Sequence, residues 1–440
     1  MSPISNESRC TSCHAGYGWK DSTFDFTDTG RMDCLVCHDT TGHYKKTPTS
    51  AGWPDKDLDL KPIAEKVGHS SRVSCGSCHF NGGGGDAIKH ADMGGNLARP
   101  DPNCDVHMGS LDFSCRTCHT TRQHRIAGRS SSVAAAEGVV RCEQCHSEAP
   151  HLGNSLLDHH LNRHSRTLAC NTCHSPVYAK CAPTKTWWDW SKAGDKQRKP
   201  AMMDLGTGTP LPDYHPMKGE FRWQRAVKPS YDWFNGNMAR VLLGDAVPLD
   251  QGPVLLTRPL GSIRDPAARI TPFKIMKGVQ AFDPLYHTLL IPHLFPRNAE
   301  DTTAYWKHYD WQMAFIDGMA SAGLPYSGQW HWQETWMYWR LEHEVMPAKM
   351  ALSCIQCHDS LRGEKTCDRC HQDSRHVDFK KLAHQPTDVS FLQQIGQSTV
   401  ALQGNNDYLD LKQLGYRGDP IVYGGRFKEL PLGQKIPSTR

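Results

Sequence analysis

The chain has 440 residues, with 50 Lys and Arg against 46 Asp and Glu, a formal charge of +4. So small an excess gives no electrostatic basis for nucleic-acid binding, and no run of roughly eighteen apolar residues offers a transmembrane helix. The 18 cysteines are far more than an ordinary enzyme of this length carries, so their spacing governs the reading.

Cys-x-x-Cys-His recurs eight times: Cys10, Cys13 and His14; Cys34, Cys37 and His38; Cys75, Cys78 and His79; Cys115, Cys118 and His119; Cys142, Cys145 and His146; Cys170, Cys173 and His174; Cys354, Cys357 and His358; Cys367, Cys370 and His371. In each, two thiols can add to the vinyl groups of a haem while the adjoining histidine ligates its iron. Zinc ribbons also use Cys-x-x-Cys, but they need no histidine after every second cysteine. The pattern therefore predicts eight covalent haem c groups. Cys104 and Cys181 remain, and spacing leaves open whether they pair.

With about −1 for each ferric bis-ligated haem and its propionates, the total charge falls to roughly −4, again without support for nucleic-acid binding. Covalent haem attachment points to a periplasmic or extracellular location. No export signal precedes the first motif, so the expectation is a chain trimmed at its N-terminus.

The motifs divide the chain into a six-haem part (1–181), a haem-free part (182–345) with 11 of the 13 tryptophans, and a two-haem C-terminal part with a tail (346–440). One haem per 55 residues means that porphyrins supply much of the core. The expected fold is mainly α and irregular, a loop-rich wrap around a chain of haems, with longer helices towards the C-terminus. In chain order, short helices carry the motifs. Residues 82–85 are four glycines that let the backbone approach a ring closely. Asp86 then N-caps a short helix, AIKHAD, from which Lys89 and His90 point about 100° apart. Prolines predict extended, loop-rich packing to about residue 300. Residues 301–320 and 330–346 read as two helices, the second with Trp332, Trp336, Trp339 and His343 on one face.

Electron-transfer haems need a second axial ligand. The favoured histidines are His90, His107, His124, His151, His164, His343 and His376, with His43, His69, His160 and His384 in reserve. Lys89 is a further candidate, because an amine binds iron when neutral and burial beside a cationic centre lowers its pKa.

The stretches CTSCHAGYGW, CLVCHDTTG, CGSCHFNGGGGDAIKH, DVHM, APH, VKPSYDW and LGYRGDP resemble the octahaem tetrathionate reductases, multihaem respiratory proteins related to hydroxylamine oxidoreductase. The resemblance runs from about residue 7 to residue 420. It implies that Lys89 replaces the distal histidine on the haem of His14, that Asp86 shares that pocket, and that this haem is catalytic, reducing tetrathionate, nitrite or hydroxylamine. The family carries a further motif upstream, with an asparagine and a free cysteine in the pocket, ahead of this chain's first residues. CDRCH at 367–371 is extra to the family pattern.

Two functions follow. One is a reductase in which bis-histidine haems feed the haem of His14, with Asp86 relaying protons. The other is a conduit that polymerises into an extracellular filament. Both imply redox partner proteins, a homo-oligomer or filament, and no membrane span in this chain; the first adds a small oxyanion substrate.

Overall fold

A computed structural model describes residues 11, 13–21, 23–47, 50–128, 139–358, 409–420 and 426. In its N-terminal part the local order comes from the motifs. Cysteines at i and i+3 and a histidine at i+4 share one face of a helical turn, and short helices form there: α1 (Leu35–His38), α3 (Arg72–His79), α4 (Cys115–Cys118), α5 (Cys142–His146) and α7 (Cys170–His174). Between them lie α2 (Leu60–Ala64) and α6 (Leu156–His164). Ser71 caps α3 by accepting from the Ser74 N–H, and Ser155 caps α6 by accepting from the Asp158 N–H. The seventh motif starts on a single 3-10 turn, Cys354–Gln356.

The tryptophan-rich middle is a β-sheet, which corrects the expectation of a mainly α chain. Its strands are β1 (Thr184–Asp189), β2 (Tyr214–His215), β3 (Gly219–Gln224), β4 (Ser230–Phe234), β5 (Met238–Arg240), β6 (Val254–Pro259), β7 (Arg269–Phe282) and β8 (His331–Arg340). They run in the order β2, β3, β1, β7, β8, β6, β5, with β4 paired to the start of β7. β1 is parallel to β7 and β6 is parallel to β8, while the other neighbours are antiparallel.

Residues 330–346, expected as a helix, form β8 and the loop after it. The ten residues of β8 register with β7 from Arg340 opposite Phe273 to His331 opposite Phe282. Gln333, Thr335 and Trp339 are buried at odd positions, a period of two. Trp332 and Trp336 consequently lie on the face opposite Trp339, and the supposed stripe does not exist. A run this rich in aromatic residues suits a half-buried pleated surface, and a long partner strand decided the outcome.

The other expected helix forms in two pieces, α8 (Tyr305–His308) and α9 (Trp311–Ser321), broken where Tyr309 turns left-handed at φ 64°. Asp310 caps α9 by accepting from Met313 N at 3.1 Å. The buried side of α9 carries Ala314, Phe315, Gly318 and Met319, and packs on Leu290 and Ile291. Among the described residues no helix is long and apolar enough to cross a membrane.

The sheet also anchors the motifs. Thr172 of α7 donates to the carbonyl of Ile270 at 2.8 Å, and the N–H groups of Met346 and Leu352 donate to the carbonyls of His174 and Cys173 at 2.9 and 3.0 Å. The sixth and seventh motifs are thus fixed to one rigid body. Gly318 is the tightest point of the α9 packing: a Cβ there would sit 1.8 Å from the Ile291 carbonyl oxygen. Gly318→Ala should destabilise the fold by about 1–3 kcal/mol, seen as a lower denaturant midpoint with haem content unchanged.

Candidate haem chain

Folding brings the motifs thiol to thiol. Cys78 touches Cys13, its Sγ 3.5 Å from the Cys13 carbonyl oxygen. Cys37 lies beside Cys75, and Cys75 touches Cys115. Cys118 neighbours Cys145 and Cys142, Cys142 touches Cys170, and Cys173 neighbours Cys354 and Cys357. The described motifs, first to seventh, therefore form one connected set, in which the first and second both adjoin the third and the third to seventh follow in chain order. Cys10, Cys367, Cys370 and His371 lie outside the described residues.

Four motif histidines each face a second imidazole. Ring centroids are 6.2 Å apart for His38 and His124, 6.0 Å for His146 and His107, 6.3 Å for His119 and His343, and 6.0 Å for His358 and His164. An imidazole nitrogen lies about 2 Å from a bound metal and the ring centre roughly 1 Å further, so two ligands across one ion have centroids about 6 Å apart. All four pairs meet that spacing.

The ring nitrogens agree. His38 Nδ1 donates to the Gly68 carbonyl at 2.7 Å, His119 Nδ1 to the Ala127 carbonyl at 3.1 Å and His358 Nδ1 to Asp419 Oδ1 at 2.9 Å, while His343 Nδ1 is 3.5 Å from Asp92 Oδ2. Carbonyl and carboxylate oxygens only accept, so Nδ1 carries the proton and Nε2 keeps the lone pair that binds a metal. Burial, helped by neighbouring imidazoles, lowers the pKa of His79, His174 and His164, the last to about 4, favouring the neutral form that ligation requires.

His151 is an electrostatic neighbour of His174, and its ring Nδ1 lies 3.1 Å from Asn162 Oδ1. His343 projects from the loop after β8 rather than from a helix. His43, His69 and His160 are exposed, and His376 and His384 lie outside the described residues.

The helix expected after the glycine stretch does not form. Residues 87–92 form turns, Ala87 is left-handed at φ 51°, and Asp86 accepts from the Gly95 N–H at 2.6 Å instead of capping a helix. Four glycines leave the chain too irregular for a helix to start. Gly83 has φ 92°, and a Cβ on it would strike the Lys89 stem at 2.5 Å, so the glycine loop wraps Lys89. Burial lowers the Lys89 pKa. The amine lies 5.9 Å from the centroid of Trp339, and the His90 ring packs edge-on against the same tryptophan at 4.5 Å. Burial drives His90 down to about 4.

His14 lies among Trp19, Phe24 and Phe26, with ring centroids 5.1, 5.7 and 5.5 Å away. Lys46 supports its loop by donating to the carbonyls of His14 and Gly16, both at 3.0 Å, and pairs with buried Asp33 at 3.2 Å. Among the described contacts, none joins His14 to Lys89 or His79 to His90.

Cys104 and Cys181, left open by the sequence, form a disulfide. Its two halves precede the His107 segment and follow the sixth motif.

The bacterial cytochrome c family model matches residues 185–361. No curated protein matches the chain. Among solved structures, the chain is similar to the octahaem cytochrome c from Shewanella oneidensis, with 38% identity, 96% of this chain and 84% of that chain covered, and a TM-score of 0.76. The chain belongs to the octahaem c-type cytochromes. This cytochrome carries covalent haem c, and the residues present fit it. Besides the cysteine series and the imidazole pairs, the six-motif part exposes Phe26, Met32, Val67 and Val73, apolar side chains suited to porphyrin faces.

Sequence reading missed the partners that orient the ligands. Asp419 was visible only as part of LGYRGDP, and Asp92 only as the end of AIKHAD. The Gly68 and Ala127 carbonyls have no sequence signal, since every residue has one.

His343→Ala in the holoprotein should convert one low-spin ferric haem to high-spin, visible in the optical and electron paramagnetic resonance spectra. An unchanged spectrum would remove His343 from the ligand set.

Proposed function

We propose that this cytochrome is an extracytoplasmic electron carrier with eight covalent haems, in which electrons reach a Lys89-ligated haem on His14 that reduces small sulfur or nitrogen oxyanions such as tetrathionate, nitrite or hydroxylamine. The observation that carries the electron-transfer part is the connected thiol-to-thiol set of motifs. Thioethers at these positions bring neighbouring porphyrins close together, and haem supplies the one-electron chemistry. The protein's own part is to hold axial imidazoles in fixed tautomers and to bury them.

The reductase part is supported by Lys89. Its amine is moved towards the neutral form by burial, and a glycine backbone enfolds it at a cost in chain entropy that an ordinary solvated lysine would not require. Asp86, three residues away and exposed, is the candidate proton donor. His107, His124, His151, His164 and His343 serve as distal ligands in this reading, with His90 and His376 completing the set.

A second reading is a conduit assembling into a homo-oligomer or filament and passing electrons between redox partner proteins. It is favoured by the added motif of Cys367, Cys370 and His371.

Lys89→Ala separates the two. The reductase reading expects one haem to become five-coordinate or water-ligated, and turnover of these oxyanions to change while bulk haem reducibility is retained. Asp86→Asn should lower turnover by roughly 10²–10⁴-fold, as for loss of a general acid, with an unchanged resting spectrum. Wild-type protein inactive on all three substrates, with normal electron transfer in Lys89→Ala, would leave the conduit.

A further inference from the structure

The imidazole N–H groups do not all meet the same kind of acceptor. His38 and His119 donate to neutral backbone carbonyls, of Gly68 and Ala127. His358 donates to a carboxylate, Asp419 Oδ1, at 2.9 Å, and both side chains are largely buried, 14% and 9% exposed. Asp92, the other carboxylate next to a ligand, already accepts from the backbone N–H groups of Glu342 at 2.6 Å and His343 at 2.8 Å, and stands 3.5 Å from His343 Nδ1. Asp419, at 2.9 Å, makes the closer charged contact with a ligand nitrogen.

A negative acceptor on Nδ1–H makes the imidazole a stronger donor through Nε2, and a charge held in a poorly solvated place is less screened from nearby iron. Both effects favour ferric over ferrous iron. Reduction adds one electron to the iron, and the N–H to carboxylate bond remains in place, so no proton need be exchanged. Resting on the reading that His358 and His164 ligate one haem, we infer that Asp419 is a positioning residue that makes the haem of Cys354 and Cys357 lower in potential than the haems whose motif histidines are backed by carbonyls.

The location gives this a consequence for the direction of flow. The C-terminal segment that carries Asp419 is tied to the sheet: Trp233 Nε1 donates to the Leu414 carbonyl at 2.7 Å, and Leu409, Leu414 and Tyr416 pack with Trp233 and Ile270. The carboxylate is thus fixed by the same rigid body that holds the sixth and seventh motifs. A lower potential on this haem favours electron flow from it past Cys173 to the sixth motif.

The test is a potentiometric titration of the purified holoprotein, followed optically, on wild type, Asp419→Asn, Asp419→Glu and His164→Ala. Asp419→Asn should raise the midpoint of one low-spin haem so that its reduced-to-oxidised ratio at a fixed ambient potential increases about tenfold, 59 mV for one electron, with the low-spin spectrum kept. Asp419→Glu should restore most of the wild-type midpoint. If Asp419→Asn instead loses low-spin character, restoration of both spectrum and potential by Asp419→Glu supports the inference, and failure of Glu to restore the potential overturns it. Unchanged midpoints in a low-spin Asp419→Asn protein also overturn it. His164→Ala addresses the underlying ligation separately: a new high-spin haem upholds the bis-histidine pair, and its absence rejects that pair whatever Asp419 does.

Discussion

The spacing of about 6 Å between paired imidazoles is the constraint on which the rest of this structure depends. Each pair draws its two rings from different segments: His124 reaches back to α1, His107 meets α5, His343 comes from the loop after β8 to face the end of α4, and His164 from α6 faces the seventh motif. Holding such rings at a metal-bridging distance fixes how those segments cross. Short helices and turns suffice locally, because haem c is bonded to the chain at two thioethers and ligated through histidine at each motif. The sheet supplies rigidity where the motifs become sparse, between the sixth and the seventh. The loop after β8 carries His343, and the start of β7 with its partner β4 receives α7 and the Asp419 segment.

Electrostatics and orientation follow from that arrangement. Buried imidazoles such as His164 and His174 are neutral because desolvation penalises their charge, and the Nδ1 acceptors choose which nitrogen faces the iron. Lys89 obeys the same logic on a different side chain, with the glycine loop giving it the space that side chains would otherwise fill. The disulfide between Cys104 and Cys181 joins the segment leading to His107 to the segment leaving the sixth motif, and so constrains two parts of the haem wrap that are 77 residues apart.

Much of the site was legible in the sequence because covalent haem attachment leaves an explicit mark: two thiols and a histidine at fixed spacing. The pairing of His124, close behind the fourth motif, with a motif imidazole lay within reach of the same reading, since proximity had singled that histidine out. The fold was less so. Residues 331–340 carry a tryptophan spacing compatible with a helix face, and the competing period of two in Gln333, Thr335 and Trp339 decides only once β7 is present as a partner. AIKHAD failed as a helix for a local reason, since it follows glycines at φ 92°, 112° and 142° and begins with a left-handed alanine. Asp419 lies 61 residues from His358, and the disulfide and the Asp92 contacts are likewise long-range. Such pairings are set by the tertiary fold, and composition or spacing does not encode them in readable form.

The account centres on haems packed as one connected set, and electron paramagnetic resonance of the fully oxidised holoprotein tests this most directly. Adjacent ferric haems in the set should be magnetically coupled, giving broadened signals whose integrated intensity falls short of one spin per iron. Eight sharp, uncoupled signals integrating to one spin per iron would contradict it.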